Sequence, residues 1–402
     1  MANEFEDYNE LFAGAADFVD ARIVVLGVGG GGNNAIDRMV EDSNLDDVTF
    51  VAVNTDVNVL TQCKAPVKIQ IGKKETKGLG AGARPEVGAK SAQENLDEIS
   101  RVLDNCDVVF ITAGMGGGTG TGAAPIIAKC AKEKGILTIA VVSKPFNFEG
   151  PRKMRVAEAG IQELKANVDS MLIVPNQNIF KVFKDKVTMK ESFKKADEIL
   201  TQSVRGIYDI IKKCGDINID FADIKTTMTN RGIIHMGVGY GKGEDRFKQA
   251  LARATQNQLL ETTIDGAKVV LVQYFGDKLD MMEISRCGDE ICEKADPNVD
   301  IIFSTREPEE DSDELRDFVY ITIIAADFSA KEQPAETTFT GALNTEPFGV
   351  KPSQNAFQAN FGQALNTPPQ QPQQPIQPQQ QPKPQDNGNG DDDIPSFLRA
   401  RK

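Results

Sequence analysis

The sequence predicts an α/β protein: a doubly wound, mostly parallel sheet, then a long central helix, a smaller α+β second domain and a disordered C-terminal tail. Three observations carry this prediction. Short runs of branched apolar residues alternate with helix-like stretches through the first part of the chain, the mark of a parallel sheet covered on both faces. Glycine-rich loops follow three of those units, where ligands of such sheets sit. Beyond Phe328 the composition turns to Gln and Pro, as in Thr367-Pro-Pro-Gln-Gln-Pro-Gln-Gln-Pro375, which cannot bury enough apolar surface to fold.

Residues 1–21 are acidic, without periodicity, and read as a loose arm. Arg22-Ile-Val-Val-Leu-Gly27 is a first strand, leading through Gly27-Val-Gly-Gly-Gly-Gly-Asn-Asn34 into the helix-like Ala35–Glu41. Val48–Val53 is a second strand, ending in Asn54-Thr-Asp56. Lys77-Gly-Leu-Gly-Ala-Gly-Ala-Arg-Pro85 is another glycine loop, opening a helix with Val87, Ala92, Leu96, Ile99 and Leu103 on one face. Asp107–Thr112 and Leu137–Val142 are further strands, and a long helix from about Met189 to Lys213 carries Ile199, Leu200, Val204, Ile207 and Ile211 at helical spacing. Val269–Phe275, Val299–Ser304 and Phe318–Ala325 read as the strands of the second domain, with a helix over Met281–Lys294.

The stretch Ala113-Gly-Met-Gly-Gly-Gly-Thr-Gly-Thr-Gly-Ala-Ala-Pro125, set between a strand and a helix read over Ala123–Lys134 with its proline near the first turn, has the make-up of a phosphate cradle. Glycine lets backbone N–H groups approach an anion closely, the helix N-terminus adds a positive dipole end, and Thr119 and Thr121 offer hydroxyl donors. It lacks the lysine of G-x-x-x-x-G-K-[ST], so a different phosphate fold is implied. Gly27-x-Gly29-x-x-Gly32 with Asp56 also satisfies the dinucleotide fingerprint, but that reading gives no role to the loops at 78–83 and 114–122. A nucleoside triphosphate can use all three.

Composition excludes other classes. A formal net charge of -14 with no basic stripe argues against nucleic acid as a partner. The chain's one histidine, His235, has no acid or nucleophile beside it and reads as structural, and the six cysteines show no metal-ligand spacing, so no metal site is expected in the protein itself. No secretory h-region follows the acidic start, and no run approaches the roughly 18 apolar residues of a membrane span, so the expectation is a cytoplasmic protein without direct membrane insertion.

The Gly116-Gly-Gly-Thr-Gly-Thr-Gly122 run looks like the defining loop of the tubulin/FtsZ GTPase family, and the chain from about 22 to 328 resembles the bacterial cell-division members of that family. Asn54-Thr-Asp56, Gly78-Leu-Gly-Ala-Gly-Ala83, Phe146-Asn-Phe-Glu-Gly150 and Asn218-Ile-Asp-Phe-Ala-Asp223 carry the match, and Asp393-Ile-Pro-Ser-Phe-Leu398 is similar to the family's C-terminal docking peptide. The resemblance implies GTP and GDP as ligands, with Mg2+ on the phosphates. It places Gly30, Gly31, Gly32, Asn33 and Asn34 along the phosphates and ribose, counts Gly29 and Asp56 among the nucleotide-binding residues, and sets Gly114, Gly116, Gly117, Gly118, Thr119, Gly120 and Thr121 in the phosphate loop. It brings Ala81, Gly82 and Ala83 to the γ-phosphate and Glu149 to the ribose, sets Asn176 and Asp197 on the guanine edge and stacks Phe193 on the base. Where the family carries an arginine, four residues after that Glu, this chain has Lys153, with Arg152 beside it. Lysine keeps the charge and loses the bidentate fork.

The family's hydrolytic loop maps to Asn218, Asp220 and Asp223. If Asp197 touches the base and the helix continues to Lys213, its sixteen residues carry the chain roughly 24 Å away at about 1.5 Å per residue. The two aspartates would then reach the nucleotide of the next subunit in a head-to-tail filament. The implied organisation is an N-terminal arm (1–21), a GTP-binding domain (22–188), the central helix and hydrolytic loop (189–224), a C-terminal α/β domain (225–328), a linker (329–388) and a docking peptide (389–402). The linker spans on the order of 40 Å as a coil. The expected role is a division-ring polymer at midcell on the inner face of the membrane, with adaptor and membrane-tether proteins held through residues 391–402. A Rossmann-type NAD enzyme and a nucleotide-gated scaffold without turnover are the other readings.

Overall fold

The computed structural model describes residues 21–41, 45, 47–182, 188–213, 215–308 and 317–328. The expected arm up to residue 20, the Pro/Gln-rich linker, the docking peptide and Cys214 at the expected end of the central helix lie outside the described residues.

The first sheet has seven parallel strands in the order β3-β2-β1-β4-β5-β6-β7. They are β1 (Ile23–Val28), β2 (Val48–Asn54), β3 (Val67–Gln70), β4 (Val108–Gly114), β5 (Leu137–Lys144), β6 (Ser170–Pro175) and β7 (Gly232–Ile233). Parallel strands joined by helical crossovers are covered on both faces, which is why β1 and β4 are nearly continuous apolar runs. Ile23, Val25, Phe50, Phe110 and Ile139 face one core, and Val24, Leu26, Val53, Ile111 and Ala140 face the other. The chain winds outward from β1 to β3, then returns to lay β4 on the opposite side of β1. The carboxyl ends of β1 and β4 therefore splay into the crevice where a ligand binds in such sheets.

The second sheet runs β10-β9-β11-β8, built from β8 (His235–Lys242), β9 (Ala267–Gly276), β10 (Asp300–Arg306) and β11 (Phe318–Phe328). Only the β9–β10 pair is parallel. Sequence periodicity does not mark β8, because its inward positions are glycines. The helix Arg246–Thr255 lies directly on them: a Cβ at Gly237 would sit 1.7 Å from the Ala254 carbonyl oxygen, and one at Gly239 1.9 Å from that of Ala250. The strands β3 and β6 and the helix Arg246–Thr255 likewise have no counterpart in the elements read from the sequence.

Two expected helices differ in extent. The stretch from Pro85 to Leu103 is two helices, Pro85–Glu94 and Leu96–Val102. They break at Asn95, whose side chain accepts from the Gly72 amide at 2.9 Å and so competes with helical geometry. The helix after the phosphate loop begins at Thr119, with Pro125 inside it rather than in its first turn.

The central helix is Met189–Lys212, capped by Thr188 and Glu191 in a reciprocal capping box. Its apolar face, Leu200, Val204, Ile207 and Ile211, joins Leu172 and Val174 of the first sheet and Leu271 and Ile324 of the second in one core. Each such side chain contributes about 1.5–3 kcal/mol on burial. His235, at the start of β8, is buried with Nδ1 3.1 Å from the Thr262 hydroxyl. Among the described residues no helix is long and apolar enough to cross a membrane.

Gly239→Ala drives a Cβ into backbone and is expected to lower stability by about 2 kcal/mol or more in urea unfolding. Gly288→Ala, in a helix with open space around it, is expected to raise it by about 0.5–1 kcal/mol, so the pair separates close packing from helix propensity.

Candidate functional site

A cleft of about 310 Å³ opens at the carboxyl ends of β1, β4 and β5. Its floor is backbone. Gly30 and Gly31 begin the helix Gly29–Met39, and Gly114, Gly117 and Gly118 form the turn between β4 and the helix Thr119–Glu133. The two loops interlock: a Cβ on Gly31 would lie 3.2 Å from the Gly114 backbone, and one on Gly29, at φ +74°, 2.7 Å from the Gly120 nitrogen. Two helix N-termini therefore aim free N–H groups into one crevice, which suits a polyphosphate.

The third glycine loop abuts the second. A Cβ on Gly118 would meet Ala81 Cβ at 2.8 Å and the Arg84 nitrogen at 2.9 Å. Lys77, Gly78, Gly80, Gly82 and Ala83 all have positive φ, so this loop is a run of left-handed backbone that few other sequences tolerate. Asp56 caps the helix Val57–Gln62 by accepting from Asn58 and bridges to Leu79.

At the opposite end of the cleft stand Asn176, Phe193 and Asp197. Phe193 is held edge-on by Phe146, with ring centroids 5.2 Å apart, leaving a face for a base. Asn176 Oδ1 is buried without a hydrogen-bond partner among the described residues. Burial pushes the Asp197 carboxyl up to about 6, against the pull of Arg38, whose Nε lies 3.6 Å away. An orphan amide oxygen, a carboxylate and an aromatic face suit a guanine, which offers ring and exocyclic N–H donors on one edge. Glu149 accepts from the Phe146 amide at 2.8 Å and pairs with Lys153, and both line the cleft. Arg152 is exposed and outside the lining.

Of the residues expected from the sequence, Gly30, Gly31, Asn34, Gly114, Gly117, Gly118, Thr119, Gly120, Glu149, Lys153, Asn176, Phe193 and Asp197 line this cleft. Others sit beneath it. Asn33 is buried, donating to the Gly27 carbonyl at 2.8 Å and accepting from Asn54 at 2.7 Å, and the Thr121 hydroxyl accepts from the Gly116 amide at 2.8 Å. Gly29, Gly32 and Gly116 are buried in the packing of the loops, and Asp56, Ala81, Gly82 and Ala83 belong to the adjoining loop. Asn218, Asp220 and Asp223 lie beyond the far end of the central helix, exposed. Asp220 caps the helix Phe221–Met228, Asn218 accepts from the Gly215 amide, and Ile217 bridges to Thr305 of β10. Sequence reasoning missed Met115, Ser143, Pro145 and Arg38. Ser143 and Pro145 could have been found from the rule that ligands sit at strand carboxyl ends.

Known proteins share these features. The sequence model of the Tubulin/FtsZ family, GTPase domain, matches residues 22–184, and that of the FtsZ family, C-terminal domain, matches 232–329. A solved FtsZ dimer from M. jannaschii, described as empty, is 37% identical over 81% of this chain and 92% of its own, with a TM-score of 0.69. A point variant of M. jannaschii FtsZ is 37% identical over 82% and 96%, with a TM-score of 0.70. CetZ2 from Haloferax volcanii, solved as a GTPγS-bound protofilament, shares the fold at 19% identity over 77% and 94%, with a TM-score of 0.66.

Asp197 can accept from two N–H donors of a base edge through both its oxygens only when ionised, because protonation turns one of them into a donor. Nucleotide affinity is therefore expected to be full well above pH 6, where the carboxyl is ionised, and to fall as the pH drops through about 6. Titration calorimetry should show that fall between about pH 7.5 and about pH 5 in the wild type, and Asp197→Asn should bind weakly, about tenfold or more, without that component.

Proposed function

The chain belongs to the tubulin/FtsZ family and is a GTPase, and from that premise we propose that it assembles head to tail into filaments whose hydrolytic site is shared between neighbouring subunits. The observation that carries this reading is the central helix. Asp197 stands in the cleft near its start, and Asn218, Asp220 and Asp223 follow its end. From Asp197 to Lys213 the chain runs about 24 Å, a rigid spacing that keeps the aspartates away from their own subunit's nucleotide. In a head-to-tail stack they would face the neighbour's γ-phosphate, with Asp223 and Asp220 polarising and positioning the attacking water and Asn218 bracing the loop. That the M. jannaschii relative is a dimer supports self-association.

Within one subunit the proposed roles follow the lining. The glycine N–H groups of the first two loops and Thr119 hold the phosphates, and Ala81, Gly82 and Ala83 approach the γ-phosphate. Lys153, rather than Arg152, supplies the side-chain cation. Asn176 and Asp197 read the guanine edge, Phe193 stacks on it, and Glu149 contacts the ribose. A magnesium ion fits oxygen donors supplied mainly by the phosphates and water, because the described residues gather no cluster of carboxylates to cage one. It would neutralise charge on the phosphates. Residues 22–188, 189–224 and 225–328 are the proposed functional segments. Residues 329–388 would act as a tether, and residues 391–402 would recruit an adaptor that places the polymer at midcell under the membrane.

Activity per subunit is expected to rise above a threshold protein concentration, together with GTP-dependent sedimentation. Asp223→Ala should lower the rate about 100-fold or more. Mixing it with Gly116→Val, whose added side chain would collide with the Lys153 carbonyl, should recover activity above the sum of the two chains. Co-sedimenting chains that stay at that sum would sink the shared site. Truncation after Asp386 is expected to leave GTP turnover and sedimentation intact and to abolish adaptor binding and midcell placement.

A further inference from the structure

Two threonine hydroxyls meet beneath the cleft. Thr55, at the end of β2, and Thr119, the first residue of the helix after the phosphate loop, have their Oγ1 atoms 2.7 Å apart and buried. Either can be the donor in this bond. Thr119 also lines the cleft, at a helix N-terminus where phosphate oxygens are favoured. A phosphate oxygen has no proton to give, so a Thr119 hydroxyl that contacts it must donate. Its oxygen is then left to accept, and Thr55 is the donor within reach. Binding of the anion would fix the direction of a hydrogen bond that is otherwise open, and each bond in such a chain strengthens the next.

The other side of Thr55 leads to the third glycine loop. Its carbonyl oxygen lies 3.4 Å from the Thr76 hydroxyl, whose one proton is closer to the Gly72 carbonyl at 3.0 Å, and the Thr76 oxygen accepts from the Gly78 amide at 3.3 Å. We infer that Thr55 is a positioning residue: it aims the Thr119 hydroxyl at the nucleotide phosphates. The inference rests on the phosphates lying against Thr119, as proposed above.

The test is titration of the full chain with GTP and GDP. Thr55→Val keeps the shape and removes the hydroxyl, and it is expected to weaken both nucleotides about tenfold, whereas Thr55→Ser should stay within about twofold of wild type. Thr112→Val is the control, because the buried Thr112 hydroxyl has no hydrogen-bond partner, and it should bind like wild type. In a Thr119→Val background the added Thr55→Val change should cost less than about twofold, since the hydroxyl it orients is gone. Wild-type affinity in Thr55→Val would overturn the inference, as would an undiminished loss in the Thr119→Val background, which would mark Thr55 as structural only. Should Thr55→Val fail to fold, Thr55→Cys, with its weak donor, is expected to give an intermediate loss of about threefold, and wild-type affinity there overturns the inference equally. A wild-type chain that bound neither nucleotide would instead remove the assignment of the cleft itself.

Discussion

Burial of the Met189–Lys212 helix between two sheets is the constraint on which the rest of this protein depends. A helix with one apolar stripe can sit on one sheet with its other face in water. Here nearly every residue from Ser203 to Lys212 is buried, so the helix serves as core for both halves. Leu200, Val204 and Ile207 share one cluster with Leu172 and Val174 on one side and Leu271 and Ile324 on the other. Because it is 24 residues long and buried through its second half, it also sets the separation between the base end of the cleft and the acidic loop.

Such a helix must also bury polar groups. Arg205 and Asp209 are fully buried, and Lys213 Nζ lies 2.9 Å from the Asp209 carboxylate. Burial lowers the Lys213 pKa, and Asp209 acts against that lowering. Replacing such a cluster with apolar residues can be neutral for stability, whereas removing one partner strands a buried charge. The second sheet meets the helix beside this cluster, where Gln273 reaches the Asp209 carbonyl, and Ile217 bridges to β10.

Around the cleft the same economy is built from backbone. Glycines at Gly29, Gly31 and Gly118 let three loops come within van der Waals contact of one another, and polar side chains beneath them occupy the bonds that would otherwise be unmet. Asn54 to Asn33 to the Gly27 carbonyl, Thr121 to the Gly116 amide, and Thr55 to Thr119 hold the loops in shape from behind. Several residues that a motif assigns to the nucleotide thus act through their neighbours, and the free N–H groups are left facing the crevice.

The parallel sheet was legible because β1, β4 and β5 are apolar runs that alternate with helix-like stretches, and the phosphate cradle because few structures other than an anion site require so many glycines between a strand and a helix. β8 was not legible, since the closeness of the Arg246–Thr255 helix replaced the expected branched residues with glycines. The break at Asn95 was hidden because its cause, the Gly72 amide, is distant in sequence. By itself the sequence determined the fold class and a nucleotide as the ligand, because periodicity and glycine placement are local properties. Only the tertiary structure decided that Lys153 and not Arg152 lines the cleft, that Arg38 holds Asp197, and that Asn33 and Thr121 face inward. Those outcomes depend on which groups packing brings within a few ångströms, and no local pattern records that.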